Sequence, residues 1–222
     1  ESLKTNKVSY CHWKSTNHLD ATMKGLTDID VLFDSDQANL VQKIILELGF
    51  ERFETVILRS YPGIHDYVCL DKSGKWVHLH LHYILNLGDR WVKAYRFPIE
   101  KEILSRVQYI EEYNTFAVHP YDELMLLCLR MSLKYHSPFN QKVIWDELIF
   151  LKEKCKDRDP AYDNFIQFFG SIRTILEYII SNEKLSSKKL NSQAHSIAKE
   201  LRVFRRFGTI EFKYLSLKRK IY

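Results

Sequence analysis

The stretch Thr27-Asp28-Ile29-Asp30-Val31-Leu32-Phe33 constrains this chain more than any other. Side chains alternate across a strand, so residues i and i+2 point the same way. Asp28 and Asp30 then share one face, and Ile29, Val31 and Phe33 occupy the other. The apolar face asks for a core beneath it. The carboxylates repel one another, and each resists ionising unless a cation lies between them. A divalent metal with oxygen ligands is the usual resolution. The spacing alone leaves a second reading open, two solvated aspartates at a strand end near a turn.

The residues before the pair bear on that choice. Ser9 to Phe33, with Trp13-Lys14-Ser15 ahead of Asp28-Ile29-Asp30, resembles the signature of the polymerase-β-like nucleotidyltransferase superfamily, where a strand and a turn ending in Gly-Ser open a helix and the next strand carries Asp-x-Asp. The resemblance implies Val8 to Trp13 as the leading stretch, Lys14-Ser15 in the place of Gly-Ser, Asn17 to Lys24 as the short helix and Gly25 as the turn after it. The segment is most similar to the uncharacterised bacterial nucleotidyltransferase-like families, some of whose members read Trp-Lys-Ser as Trp13-Lys14-Ser15 does. Lys14 stands where the superfamily has glycine. The resemblance covers roughly the first half of the chain. It implies a metal pair at Asp28 and Asp30, Mg2+ or Mn2+ as cofactor, and a nucleoside triphosphate as substrate. It also implies Ser15 as a phosphate contact, through its hydroxyl and the backbone N–H groups at a helix start. Lys14 would add charge against the triphosphate. Ser15 reads equally as the N-cap of the helix that follows.

The family's third carboxylate comes from a neighbouring strand. Here the matching strand reads Trp76-Val77-His78-Leu79-His80-Leu81-His82-Tyr83. His80 falls where that acid would stand, and His78, His80 and His82 share a face by alternation. Three readings compete. His80 completes a metal site with Asp28 and Asp30, favouring an ion more tolerant of imidazole, such as manganese or zinc. Or it is the general base for an acceptor hydroxyl. Or the site is degenerate and the domain binds without turnover. Asp66 is the best substitute for the third acid. His12 and Trp13 read as packing residues.

The order of patterns gives the fold class. Gln37 to Gly49 has helical spacing at Leu40, Ile44, Ile45 and Leu48, with Gly49 as a C-cap. Phe50 to Arg59 reads as a strand, Ser60 to Gly63 as a turn, and His65 to Leu70 as a second strand. Asp71 to Gly74 is a hairpin turn, and Lys75 to Leu85 a third strand. These predict an α+β fold, a mixed nucleotidyltransferase-like sheet with helices on one face, followed by a helical domain. From Pro98 the texture is helical, beginning with Ile99 to Val107. Longer helices are predicted over Tyr121–Tyr135, Gln141–Lys154, Ala161–Asn182 and Leu190–Phe207. The boundary is expected between Leu85 and Pro98, giving domains 1–92 and 93–222.

In the helical half Asp122, Glu123, Arg130 and Lys134 punctuate an apolar helix. Arg130 and Lys134 lie one turn apart and could hold substrate phosphate, with a solvated charged face as the default. Trp145-Asp146 reads as packing between helix and sheet.

At 45% hydrophobic and 27% charged, the 222 residues have a globular composition, which excludes a disordered chain. No apolar run is long enough to span a membrane and no signal-peptide pattern opens the chain. The four cysteines, Cys11, Cys69, Cys128 and Cys155, lack the spacing of a zinc-binding thiolate set and read as reduced. A cytoplasmic location is the expectation. Residues 183–222 carry 11 Lys and Arg against 3 Asp and Glu, a local +8 that leaves −3 for the rest of the net +5. That basic segment reads as a solvated face or the lead-in to a further domain beyond the C-terminus. Nucleic acid ranks behind a small-molecule or protein acceptor as a partner, with Lys218, Arg219 and Lys220 as the grip on an RNA backbone.

The expected activity is metal-dependent transfer of a nucleotidyl group from a nucleoside triphosphate to an unidentified small-molecule or protein acceptor. The catalytic and metal residues would be Asp28, Asp30 and His80, with Lys14, Ser15, Arg130 and Lys134 on the nucleotide. The alternative is a catalytically inactive nucleotidyltransferase fold that serves as a binding or regulatory domain.

Overall fold

A computed structural model of the chain describes residues 1–54, 61–88, 92–134, 138–155 and 170–206. The chain divides into two compact units, Glu1–Leu85 with Phe97–His119, and Asn86–Arg96 with Pro120–Tyr222.

The first unit opens with α1 (Ser2–Thr5), β1 (Tyr10–His12), α2 (Leu19–Met23) and β2 (Ile29–Phe33). Helix α3 (Ala38–Glu47) follows, then β3 (Glu51–Phe53), β4 (Ile64–Leu70) and β5 (Trp76–His82). Strands β6 (Leu85–Leu87) and β7 (Tyr95–Phe97) form a two-stranded sheet where the chain passes from one unit to the other and back. Helix α4 (Glu100–Leu104), β8 (Gln108–Ile110) and β9 (Thr115–Ala117) complete the unit.

Among the described residues, seven strands make one mixed sheet in the order β3-β4-β5-β2-β1-β9-β8. Strands β2 and β5 run parallel and β4 and β5 antiparallel, with Asp30 and Asp66 both registered on His80. The mixed α+β architecture read from the sequence is therefore present. Strands β8 and β9 were not expected; β9 pairs parallel to β1 through His12 and Ala117. Each has three residues, too short for alternation to declare itself, and β9 meets a partner about a hundred positions away.

One face of the sheet is apolar. Val31 and Phe33 of β2, Leu79 and Leu81 of β5, Tyr67 of β4 and Tyr10 of β1 pack with Val41, Ile44 and Ile45 of α3. Each fully buried side chain of that size contributes about 1.5–3 kcal/mol. This face therefore holds sheet and helix together and leaves the opposite one to carry Asp30, Asp66, His78, His80 and His82.

Two glycine caps fix how strands and helices join. Gly49 (φ +84) ends α3, with Gly49 N–H donating to Leu46 and Phe50 N–H to Ile45. Gly25 (φ +62) ends α2 in the same way, through Gly25 N–H to Thr22 and Leu26 N–H to Ala21. Both follow the Schellman pattern. The hairpin turn at Asp71 to Gly74 forms as read, with Asp71 Oδ1 accepting from the N–H groups of Ser73 and Lys75.

In the second unit α5 (Pro120–Ser132) packs against α6 (Lys142–Lys154), α7 (Gly170–Ser181) and α8 (Ser187–Glu200). Helix α5 is apolar almost all round and is buried almost all round. Its Asp122 and Glu123 are buried too, so these two acids do not lie on a solvated face. The predicted strand beyond Glu54, residues 161–169 of the predicted helix, and Lys218, Arg219 and Lys220 lie outside the described residues. All four cysteines are free thiols. Among the described residues, no helix is long and apolar enough to cross a membrane.

Candidate functional site

The polar face is built on three neighbouring strands. Register places Asp66 of β4, His80 of β5 and Asp30 of β2 on one rung. His78 and His82 stand two residues either side of His80 and so share its face. Asp28 precedes β2, where a hydrogen bond between the hydroxyls of Thr22 and Thr27 (3.0 Å) closes the loop from α2.

Contacts run along this face as an alternating series of carboxylates and imidazoles. Asp28 Oδ1 lies 3.1 Å from His78 Nδ1. His78 Nε2 lies 3.3 Å from Asp66 Oδ1, off the line of a hydrogen bond. Asp66 Oδ1 is 3.0 Å from His80 Nε2, and His80 Nδ1 is 3.3 Å from Asp30 Oδ1. The same Asp30 oxygen is 3.2 Å from His82 Nε2 and 2.7 Å from Lys14 Nζ. The outer end of the series is exposed and the inner end buried, with 58% exposure for the Asp28 side chain against 13% for Asp30 and 7% for His82. The site thus runs from solvent inward.

Electrostatics follow from that packing. Burial pushes the Asp30 carboxyl up, but His80, His82 and Lys14 outweigh it and hold the group well below the usual carboxylate range. Burial likewise lowers His80, yet its contacts with Asp30 and Asp66 prevail and push it up to about 9. Without a metal His80 is therefore a cation at neutral pH, with a carboxylate at each nitrogen. For His82 burial prevails over Asp30 and brings it down to about 4, so that ring is neutral. His12, also buried, is down to about 4 for the same reason. The His82 ring meets Trp13 edge-on, 5.0 Å between centroids, and both His12 and Trp13 are buried.

Among the described residues, Asp28 and Asp30 do not fall in one three-residue ligand group. Each forms its own with His80, as Asp28-His78-His80 and Asp30-His80-His82, the ligand atoms of each lying within 4.8 Å of one another. Both are one carboxylate and two imidazoles. That mixed nitrogen and oxygen set fits manganese, zinc and their neighbours better than magnesium, which prefers oxygen alone.

The remaining predicted residues are placed as follows. Lys14 has its ammonium on Asp30. Ser15 takes a left-handed conformation (φ 57, ψ 39) at the start of a single 3-10 turn and makes no side-chain cap hydrogen bond. The N-cap reading of Ser15 is therefore not borne out, because its backbone occupies the left-handed region where a cap residue is extended. Arg130 and Lys134 belong to the second unit, where Arg130 Nη1 lies 3.6 Å from Glu147 Oε1 and Lys134 is exposed. Trp145 is half-buried and Asp146 exposed on α6, in the same unit. The contact between Lys14 and Asp30 had no signal in the sequence beyond proximity to the motif. Asp66 had one, an acid on the adjoining strand.

No protein-family model matches the chain, and no curated protein matches it either. Among solved structures, it is similar to an antigenic nucleotidyltransferase-like protein from Paracoccidioides brasiliensis. Identity is 14% and the TM-score 0.41, over 84% of this chain and 90% of that one. The chemistry has to be read from the residues themselves.

Proposed function

We propose that this chain is a metal-dependent nucleotidyltransferase, moving a nucleotidyl group from a nucleoside triphosphate to a hydroxyl of a small molecule or protein. The observation that carries the reading is the rung Asp66-His80-Asp30, with Asp28 beside it, on the face opposite the apolar core. It gathers three carboxylates from neighbouring strands around imidazole ligands, on the motif that resembles the superfamily.

Asp28, Asp30 and His80 are the proposed metal residues, His80 being shared by the two ligand groups Asp28-His78-His80 and Asp30-His80-His82, either of which would hold a divalent ion that accepts imidazole. Bound there, the ion supplies charge neutralisation for the triphosphate and for the oxygens entering and leaving phosphorus. Asp66 holds His80 in orientation through Nε2. Lys14 balances charge on Asp30, and its ammonium would add positive charge toward a substrate phosphate once an ion takes its place on that carboxylate. Ser15 presents a hydroxyl that no cap engages. Arg130 and Lys134 are proposed as further phosphate contacts, by chemistry alone.

A second reading is favoured by one contact. The Lys14 ammonium already neutralises Asp30, as expected of a binding or regulatory domain that does without a metal. A labelled-nucleotide transfer assay with each of four nucleoside triphosphates, magnesium or manganese, and cell extract separates the two. Transfer by the wild type that is lost in Asp30→Asn supports the enzyme. Absence of both transfer and metal-dependent nucleotide binding supports the binding domain.

A further inference from the structure

We propose that Asp30, His80 and His82 form a binding site for one borderline divalent transition ion, with zinc as the probe, that excludes magnesium. The inference rests on the reading of this face as a metal site and not on the transfer reaction. It places the ion at the inner of the two ligand groups, one aspartate and two histidines.

Four observations point there. First, the Asp30 oxygen stands 3.3 Å from His80 Nδ1 and 3.2 Å from His82 Nε2. Both contacts converge on one oxygen, and the three ligand atoms lie within 4.8 Å of one another. Ligands around a tetrahedral ion with bonds of about 2.0–2.1 Å are separated by about 3.4 Å, so a small adjustment would seat an ion among them. Second, His80 presents Nδ1 to this group while its other nitrogen faces Asp66 Oδ1 at 3.0 Å. A metal-binding histidine typically has such a carboxylate behind it, fixing which nitrogen meets the ion. Third, the three ligands are largely buried, at 13%, 26% and 7% side-chain exposure. They lose little freedom on binding, whereas Asp28 of the outer group is 58% exposed. Fourth, His80 belongs to both groups, and a neutral imidazole has one unprotonated nitrogen while Asp66 faces the other, so a single ion is expected. Three protein ligands leave a position for water or a substrate oxygen. The ammonium of Lys14, 2.7 Å from Asp30, is the competitor the ion displaces.

The test is zinc binding by the metal-stripped full chain, in competition with a chromophoric chelator. One zinc per chain is expected, undisturbed by roughly a thousandfold excess of magnesium. His82→Ala should weaken binding by at least about a hundredfold and Asp66→Asn by about ten- to a hundredfold. His78→Ala should change it by less than about threefold, since it supplies nothing to the inner group. His82 is buried, so the wild type carries an independent readout: zinc, and not magnesium, raises its melting temperature. Magnesium displacing zinc, or loss of binding in His78→Ala with His82→Ala unaffected, overturns the inference. Zinc binding without nucleotidyl transfer would fail the proposed function and leave this site standing. Magnesium-dependent transfer with no zinc bound would do the reverse.

Discussion

Asp66 and His80 face each other across adjacent strands, carboxylate oxygen to Nε2 at 3.0 Å, and this pairing is one of the two carboxylate contacts that raise the imidazole above its ordinary range. It leaves Nδ1 of the same ring to Asp30. Asp66→Asn removes one of the two charges that hold the imidazolium. The His80 resonance, followed by NMR in metal-free protein, should then titrate well below 9 and toward the ordinary value near 6.5. An unmoved titration would mean that Asp30 alone carries the effect.

Stability of the metal-free protein should be greatest near pH 6.5 and fall on both sides. His80 is raised to about 9, so its contribution is complete below its unfolded value of 6.5 and is lost as pH climbs through 9. His12 and His82 are lowered to about 4, so their contributions are present above 6.5 and are lost as pH falls toward 4. The lowered Asp30 and Asp66 deepen the loss below that. Urea unfolding from pH 4 to pH 9.5 in the presence of a chelator checks this. Each fully engaged group adds a slope of about 1.4 kcal/mol per pH unit.

Lys14→Met should separate the cation from its carboxylate. Metal-free stability is expected to drop by about 1–3 kcal/mol, because Asp30 keeps its burial and loses its nearest charge. Zinc affinity is expected to rise at least severalfold, since no ammonium competes for Asp30. Affinity that falls instead would mean that Lys14 helps to build the site. Calorimetric titration reads both the sign and the size.

The glycines at two turns should respond differently to alanine. Gly25 has φ +62, and an added Cβ would meet Val77 Cγ2 at an ordinary 3.5 Å. Gly25→Ala should cost about 1 kcal/mol, the backbone strain alone. Gly63 has φ +71 and follows Pro62 in a turn closed by Ile64 N–H on the Tyr61 carbonyl. Its Cβ would fall on the Ile84 side chain, so Gly63→Ala should cost roughly 2 kcal/mol or more. Thermal unfolding of the two variants side by side tests the ranking.

The parts of this molecule that were legible in its sequence are those held by local rules. Gly25 and Gly49 announce helix ends through backbone freedom, Asp71 to Gly74 a turn through its own side-chain hydrogen bonds, and the histidines of β5 a shared face through alternation. Two kinds of feature were not legible. Strands β8 and β9 owe their existence to a partner far away in sequence, and three residues carry no period. Burial of Asp122 and Glu123 comes from helices packing round α5, which a charge on a helix does not reveal. The reach of Lys14 to Asp30 depends on how the turn at Ser15 aims the side chain before it.

The pairing of β9 with β1 also governs how the first unit can be cut. Shortening the chain to end at Val92 removes β8 and β9 and opens the edge of the buried strand β1 at His12, which pairs with Ala117 and accepts from Val118 N–H. Such an open edge recruits other chains. A stable excised sheet therefore has to include Thr115 to Ala117, and so has to retain or bridge the excursion through Asn86–Arg96 that precedes them.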